Sequence, residues 1–234
     1  MFKRVLLKIS GEQLAGQRGI GIDVSVAHYI AQESKKVSDA GCQLAVVIGG
    51  GNLVRGAELA GNGVQRVTAD QLGMLSGLMN AMALTDVFES EHVSTRCMSN
   101  IYAEQVVESY AYRRAEKHFE AGRVVIIAGG LGRPYFTHDT AAVSLALELS
   151  CEVVFKATKV DGVYTKDPAT FHDAQLLPTM TYQQAVQDAA VRVMDKAALG
   201  LAMEQNMPVT VLNAMKPGNL LKAVQGEAIG TRIS

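Results

Sequence analysis

An excess of charge of either sign is missing from this chain. Its 22 Lys and Arg stand against 23 Asp and Glu, a formal net charge of -1, so no global basic field advertises nucleic acid and any anion site must be local. Cysteine is scarce. Cys42, Cys97 and Cys151 are odd in number and far apart, with no Cys-x-x-Cys, which argues against disulfides and a structural zinc site and makes a reducing cytoplasm the simplest setting. The histidines are scattered, so no His/Cys cluster offers a transition-metal site and no metal held by the protein itself is expected. With only 5 prolines and no low-complexity run, nothing reads as a linker, and the 234 residues are expected to form one domain. Long hydrophobic runs are lacking too. The opening Met-Phe-Lys-Arg-Val-Leu-Leu-Lys is far too short in apolar residues for a signal peptide or membrane span, so a cytoplasmic protein with no membrane partner is expected.

What the chain does have is glycine, and at revealing places. Ala45 to Ile48 is a short apolar run that suits a strand buried on both faces of a parallel sheet. It ends in Gly49, Gly50 and Gly51, which remove every Cβ where the strand stops and let backbone N–H groups approach an anion such as phosphate. Asn52 to Ala60 is predicted as a helix facing that anion, with Arg55 in its first turn. Two familiar phosphate loops are excluded. Ala57 and Glu58 stand where a P-loop needs Lys and Ser/Thr, and Val54 stands where the dinucleotide fingerprint needs its last glycine.

Taken in order, Arg4 to Ile9 reads as the first strand, delivering Lys8, Ser10 and Gly11 at the sheet edge where ligands bind in open α/β folds. Gln13 to Gly21 reads as a loop, and Asp23 caps a helix to about Ala40. Thr68-x-x-Gln71 reads as a capping box opening a helix to about Glu89. That helix carries two apolar stripes, Leu72, Leu75, Met79 and Met82, and Met74, Leu78, Ala81, Leu84 and Phe88. One core contact would leave one stripe wet, so either subunit association or further cover by the chain itself is expected. Asp70 either faces the ligand edge or favours the helix N-terminus.

Strands are predicted at Val93 to Cys97 and Arg123 to Ala128, with a helix from Tyr110 to Ala121 between them. A second glycine-rich exit follows, Gly129, Gly130, Leu131, Gly132, Arg133 and Pro134, then Tyr135, Phe136, Thr137, His138 and Asp139, where a helix begins. A loop this long does more than turn. It suggests a second ligand, with Asp139 capping the helix or organising cations. Cys151 to Ala157 reads as a strand carrying Lys156, and Lys159 adds charge at the same edge. A Thr181-x-x-Gln184 box opens helices to about Asn206, strands are predicted at Val209 to Leu212 and Ala228 to Arg232, and a short helix starts at Lys216-Pro217-Gly218-Asn219. Two glycine loops and several cations at one edge suit chemistry between two phosphate-bearing ligands, because phosphoryl transfer asks mainly for positioning and charge neutralisation.

Ordered motifs over nearly the whole length then carry a resemblance. Leu7-Lys8-Ile9-Ser10-Gly11, Gly49 to Gly56, and Lys156-Ala157-Thr158-Lys159-Val160-Asp161-Gly162-Val163-Tyr164 resemble the amino acid kinase superfamily. Gly19 to Asp23, Pro134 to Thr137 with Asp139 to Ala142, and Lys216 to Leu220 are similar to its bacterial uridylate kinase branch. The resemblance implies an α/β fold, a single-domain three-layer αβα sandwich around a mainly parallel open sheet. The N-terminal part would serve mainly the phosphoryl acceptor, and the part from about residue 150 mainly ATP. It implies transfer of the γ-phosphoryl of ATP to UMP in pyrimidine nucleotide biosynthesis, with Mg²⁺ bridging the phosphates. Lys8, Ser10, Gly11, Gly51 and Arg55 would hold ATP phosphates, and Thr158, Tyr164 and Asp167 its adenosine side. Gly50, Asp70, Leu131, Gly132, Arg133, Pro134, Tyr135, Phe136, Thr137 and His138 would hold UMP. Lys8, Arg55, Asp139 and Asp195 would be catalytic, the two cations neutralising charge and the two carboxylates orienting cations and metal-bound nucleotide. A homohexamer regulated by GTP and UTP is also implied, with a role for the loop Gly16 to Gly21.

The acceptor loop departs from the branch's usual Thr-Gly-Asn-Pro-Phe-Phe-Thr-Thr-Asp by Leu131, Arg133, Tyr135 and His138. Leu131 and His138 each replace a hydroxyl, which bears on acceptor choice because hydrogen-bonding pockets discriminate only while their partners remain. Two other readings stay open. One is a kinase for a small carboxylate or carbamate, the other a nucleotide- or anion-binding protein without catalysis.

Overall fold

The computed structural model describes residues 1–187 and 193–234. Its first strand, β1 (Arg4–Ile9), already divides the molecule into layers. Val5, Leu7 and Ile9 enter one hydrophobic cluster and Leu6 another on the opposite face, the period of two that a strand imposes. Lys8 shares the face of Leu6. Then follow α1 (Gly11–Leu14), a 3-10 turn at Gly16–Arg18, α2 (Val24–Asp39), β2 (Gln43–Ile48), α3 (Gly56–Gly61), α4 (Arg66–Ser90) and β3 (Thr95–Ser99). The middle holds β4 (Glu108–Ser109), α5 (Tyr112–Glu120), β5 (Val124–Ala128), α6 (His138–Glu148) and β6 (Val154–Thr158). The chain continues with β7 (Thr179–Met180), α7 (Tyr182–Gln187), α8 (Lys196–Glu204), β8 (Val209–Asn213), α9 (Asn219–Gln225) and β9 (Thr231–Ile233).

Among the described residues the strands form one sheet in the order β4-β3-β5-β2-β1-β6-β8-β9-β7, parallel throughout except for β8 against β9. Helices cover both faces. Ala27 and Ile30 of α2, Leu78, Leu84 and Phe88 of α4, and Leu220 and Val224 of α9 pack with Val5 and Leu7. Phe119 of α5, Ala141 and Leu145 of α6, Ala185 of α7, and Leu199 of α8 pack with Leu6. This is a three-layer αβα arrangement around a mainly parallel open sheet. Order along the sheet runs one way from β1 into β2 and the other way from β6 into β8, so the crevice between β1 and β6 is the topological switch point where such folds bind ligands.

Several predicted boundaries move, each for a local reason. Gln13 to Gly21 is not all loop: Ser10 and Gln13 form a reciprocal capping box that winds α1 directly off β1. The helix expected from Asn52 starts only at Gly56, because Asn52 is pulled inward, its amide bonded to Gly21 O at 2.7 Å and to Asn80. Thr68 caps nothing, since α4 begins two residues earlier at Arg66 and places Thr68 inside the first turn. Thr137, not Asp139, caps α6. The strands expected at Val93, Cys151 and Ala228 begin two or three residues later, and the two-residue strands β4 and β7 are too short for periodicity to reveal. The Thr181 and Gln184 box is present, with Gln184 Oε1 accepting the Thr181 N–H at 2.8 Å. The helices expected from Thr181 to Asn206 are α7 and α8, and the stretch 188–192 between them lies outside the described residues. On α4 the stripe from Met74 to Phe88 is buried while Leu72, Leu75, Met79 and Met82 are exposed.

Candidate active site

The carboxyl ends of β1 and β6 bring two lysines side by side. Lys8 and Lys156 are partners in register on these strands, and like charges so placed repel. Asp139, in the first turn of α6, resolves this by bridging them: Lys8 Nζ lies 2.6 Å from Oδ1 and Lys156 Nζ 2.8 Å from Oδ2. All three are largely buried. Burial alone would raise the Asp139 carboxyl, but the two lysines outweigh it and hold it below the ordinary carboxylate range. Burial also pulls the Lys156 ammonium down despite the attraction of Asp139. Two cations share one anion. The bracket therefore keeps uncompensated positive charge where a phosphoryl group could sit.

Asp195 lies one layer behind this bracket. It caps α8, accepting the Ala198 N–H at 2.8 Å, and it accepts hydroxyls from Thr140 at 3.0 Å and from Thr137. Its contacts fasten α8 to the start of α6, so it supports Asp139 from behind rather than meeting the lysines. Lys156 also donates to Val193 O.

Cavities open on either side of the bracket. One, of about 230 Å³, is lined by Lys156, Thr158, Tyr164, Asp167 and Val193, so the three residues expected around adenosine do come together. The other, of about 480 Å³, is lined by Gly50, Gly51, Arg55, Arg66, Asp70, Phe136, Thr137 and His138. Gly51 and Arg55, expected with ATP, thus stand on the acceptor side. Arg55 is half-exposed and pairs with Glu12 and Glu58, each at 3.1 Å. Ser10 is occupied as the cap of α1. Gly11 has its own reason to be glycine: a Cβ there would lie 2.8 Å from Gly51 N and 2.6 Å from Gly49 O, so the first two strand exits pack backbone to backbone.

The long loop after β5 divides. Phe136, Thr137 and His138 line the larger cavity, whereas Leu131, Gly132, Arg133, Pro134 and Tyr135 do not. Arg133 is exposed, and Gly132 sits against Asn100, whose carbonyl oxygen a Cβ would approach to 2.7 Å. His138 points inward. Its Nε2 is buried without a hydrogen-bond partner, close to Gly77 of α4, where a Cβ would stand 3.0 Å away. Burial, aided by Lys8, pushes its pKa down to about 4, so a neutral imidazole replaces the hydroxyl usual at this place.

Sequence reasoning left Lys156 and Arg66 off the candidate list. For Lys156 the signal was present, a second lysine near a strand end, but only the register places it opposite Lys8. Among the described residues, no group of three or more His, Cys, Asp or Glu gathers as a metal site, and no helix is long and apolar enough to cross a membrane.

Fold, switch-point crevice and paired lysines define a phosphotransferase-like α/β protein, and comparison with known proteins agrees. The amino acid kinase family model matches residues 3–213, and the chain belongs to that family. It is similar to the crystal structure of a UMP kinase from Bacillus anthracis, with 36% identity, a TM-score of 0.94, and coverage of 100% of this chain and 96% of that one. A UMP kinase from Ureaplasma parvum matches at 30% identity and a TM-score of 0.91, covering 100% and 99%. A uridylate kinase from Archaeoglobus fulgidus matches at 28% identity and a TM-score of 0.76, covering 98% and 99%.

Proposed function

We propose that this chain is a UMP kinase, transferring the γ-phosphoryl of ATP to UMP to give ADP and UDP. The observation that carries the reading is the buried Lys8, Asp139 and Lys156 bracket standing between two cavities. Full-length likeness to UMP kinases supports it. ATP occupies the cavity of Thr158, Tyr164 and Asp167, its phosphates running toward Lys8, Ser10, Gly11 and Gly51. UMP occupies the cavity of Gly50, Asp70 and Phe136 to His138, under the loop from Leu131. A phosphate oxygen of UMP attacks the γ-phosphorus, the new P–O bond forming as the bond to the β-phosphate oxygen breaks and ADP departs. Lys8 and Arg55 neutralise the charge spread over the transferred group, while Asp139, held by Asp195 through α6, fixes the lysines. No protein nucleophile is needed.

Mg²⁺ brought in with ATP would supply further charge neutralisation at the transferred group. The residues fit a cation carried in this way, because Asp139 and Asp195 are already engaged by lysines, hydroxyls and a backbone N–H. The chain acts as one domain, with acceptor contacts drawn mainly from its N-terminal part and ATP contacts from about residue 150 onward. It works in the cytoplasm in pyrimidine nucleotide biosynthesis, as a homohexamer joined in part through the exposed stripe of α4, with GTP and UTP as effectors and the loop Gly16 to Gly21 responding to them.

The test is ADP release from Mg-ATP by the purified protein with UMP, CMP, dUMP, glutamate, aspartate and carbamate. Strong preference for UMP is expected. Preference for another acceptor would keep the kinase chemistry and move specificity to the altered loop, and inactivity with all of them would leave a binding protein.

A further inference from the structure

Two side-chain amides hold the turn after β2 from behind. Asn80, in the middle of α4, and Asn52 are 0% and 2% exposed. Their amides face each other: Asn80 Nδ2 donates to Asn52 Oδ1 at 2.6 Å, and Asn52 Nδ2 donates to Asn80 Oδ1 at 3.1 Å. Each amide has one N–H left. That of Asn80 goes to Gly49 O and that of Asn52 to Gly21 O, both at 2.7 Å. All four N–H groups are thus used, and both orientations are settled, because a flipped amide would set its oxygen against a carbonyl. Packing alone does not ask for this. A buried helical position is filled more cheaply by leucine, which has the better helix propensity and no polar group to satisfy.

What the network fixes is the direction of a peptide. A trans peptide unit is planar, so its C=O and N–H point opposite ways. Asn80 draws Gly49 O into the core, and the Gly50 N–H therefore faces outward. The next unit is fixed as well, since Gly50 O accepts the N–H groups of Leu53 and Val54 at 3.0 and 3.1 Å. Among the described residues neither the Gly50 nor the Gly51 N–H has a protein acceptor, and both glycines line the acceptor-side cavity. The turn also adjoins the lysine bracket, because Gly49 N donates at 3.0 Å to Ile9 O, one residue beyond Lys8. Two backbone donors beside buried cations make a concavity suited to an anion. We propose that Asn80, steadied by Asn52, is a positioning residue for phosphoryl transfer: it holds the Gly49–Gly50 peptide so that the Gly50 N–H points at the phosphoryl group as charge develops on it. Neither asparagine lines the cavity itself. This rests on the UMP kinase reading above.

Steady-state kinetics with Mg-ATP and UMP, read beside thermal unfolding, test this in Asn80→Leu, Asn52→Leu and the double variant. Leucine keeps the branching of asparagine and removes its hydrogen bonds. In Asn80→Leu kcat is expected to fall by about tenfold or more, approaching the roughly hundredfold loss of a preorganised donor, while the KM for ATP and for UMP changes less than about threefold. That split marks an interaction made only in the transition state. Asn52→Leu lowers kcat less, because Asn80 still reaches Gly49 O. The double variant separates positioning from packing. It leaves no orphaned side-chain amide, so its Tm recovers relative to Asn80→Leu, yet Gly49 O still lacks its donor and kcat stays low. Recovery of kcat together with Tm overturns the assignment, as does a wild-type kcat in Asn80→Leu. Should the leucine variants not fold, Asn80→Asp takes their place. Its protonated carboxyl can donate to Gly49 O and its ionised form repels it, so kcat relative to wild type falls as pH rises. A wild-type kcat at every pH overturns the assignment. A wild type that does not phosphorylate UMP fails the kinase reading instead, so the two failures are distinguishable.

Discussion

The two glycine-rich strand exits look alike in sequence, yet their glycines answer different physical demands. At Gly49 to Gly51 none adopts a left-handed φ. Gly50 is small because α4 crosses it closely: a Cβ there would lie 2.5 Å from Gly73 O and 2.6 Å from Gly77 N. At the second exit, Gly129, Gly130 and Gly132 have φ of 77°, 56° and 68°, torsions that other residues adopt only with strain. The first exit thus uses glycine for space and the second uses it mainly for torsion. Among the three glycines in a row at the first exit, Gly50 is therefore a packing requirement in its own right.

Asp139 follows the second exit and reaches Lys8 beside the first, so it is the place where the comparison is easiest to break. Asp139→Asn leaves two buried lysines facing each other in register. A loss of stability of about 3 to 5 kcal/mol is expected, read from denaturant unfolding, with kcat lowered on the order of a hundredfold. Wild-type stability and rate would mean that the two exits are organised independently.

Gly50→Ala comes next. Its new methyl meets backbone that cannot rotate away, so α4 must shift, and overpacking of this kind costs about 1 to 3 kcal/mol. The KM for the acceptor should rise as well, since Gly73 and Asp70 move with the helix. Gly130→Ala sharpens the contrast from the other side. Its nearest neighbour, His138, would be 3.9 Å from the Cβ, so space is ample and only the left-handed torsion is penalised, by about 1 kcal/mol. Equal effects of the two substitutions in thermal unfolding would erase the distinction between space and torsion.

The sequence made much of this legible where the signal was local. The cap at Asp23, the box at Thr181 and Gln184, the buried stripe of α4 and the lysine at the end of β1 all follow from neighbours within a few residues. Thr68 misled for the same reason, because its capping pattern is genuine but loses to an earlier start at Arg66. Asn52 misled because a distant residue, Asn80, draws its side chain inward. For Asp139 two local roles were possible, cap or charge organiser. Thr137 takes the first, as its hydroxyl accepts the Asp139 N–H at 3.0 Å, which frees the carboxylate for the second.

By itself the sequence determined the alternation that buries the strands, the helices that cover them, and the kinds of residue at one sheet edge, because these depend on periodicity and on side-chain chemistry. Only the tertiary structure decided which charges meet. Lys8 and Lys156 are 148 positions apart in the numbering and face each other through strand register, Asp139 reaches both from the helix layer, and Arg66 joins a loop nearly 70 residues away. Pairings of that kind are fixed by how layers pack, and no local pattern encodes them.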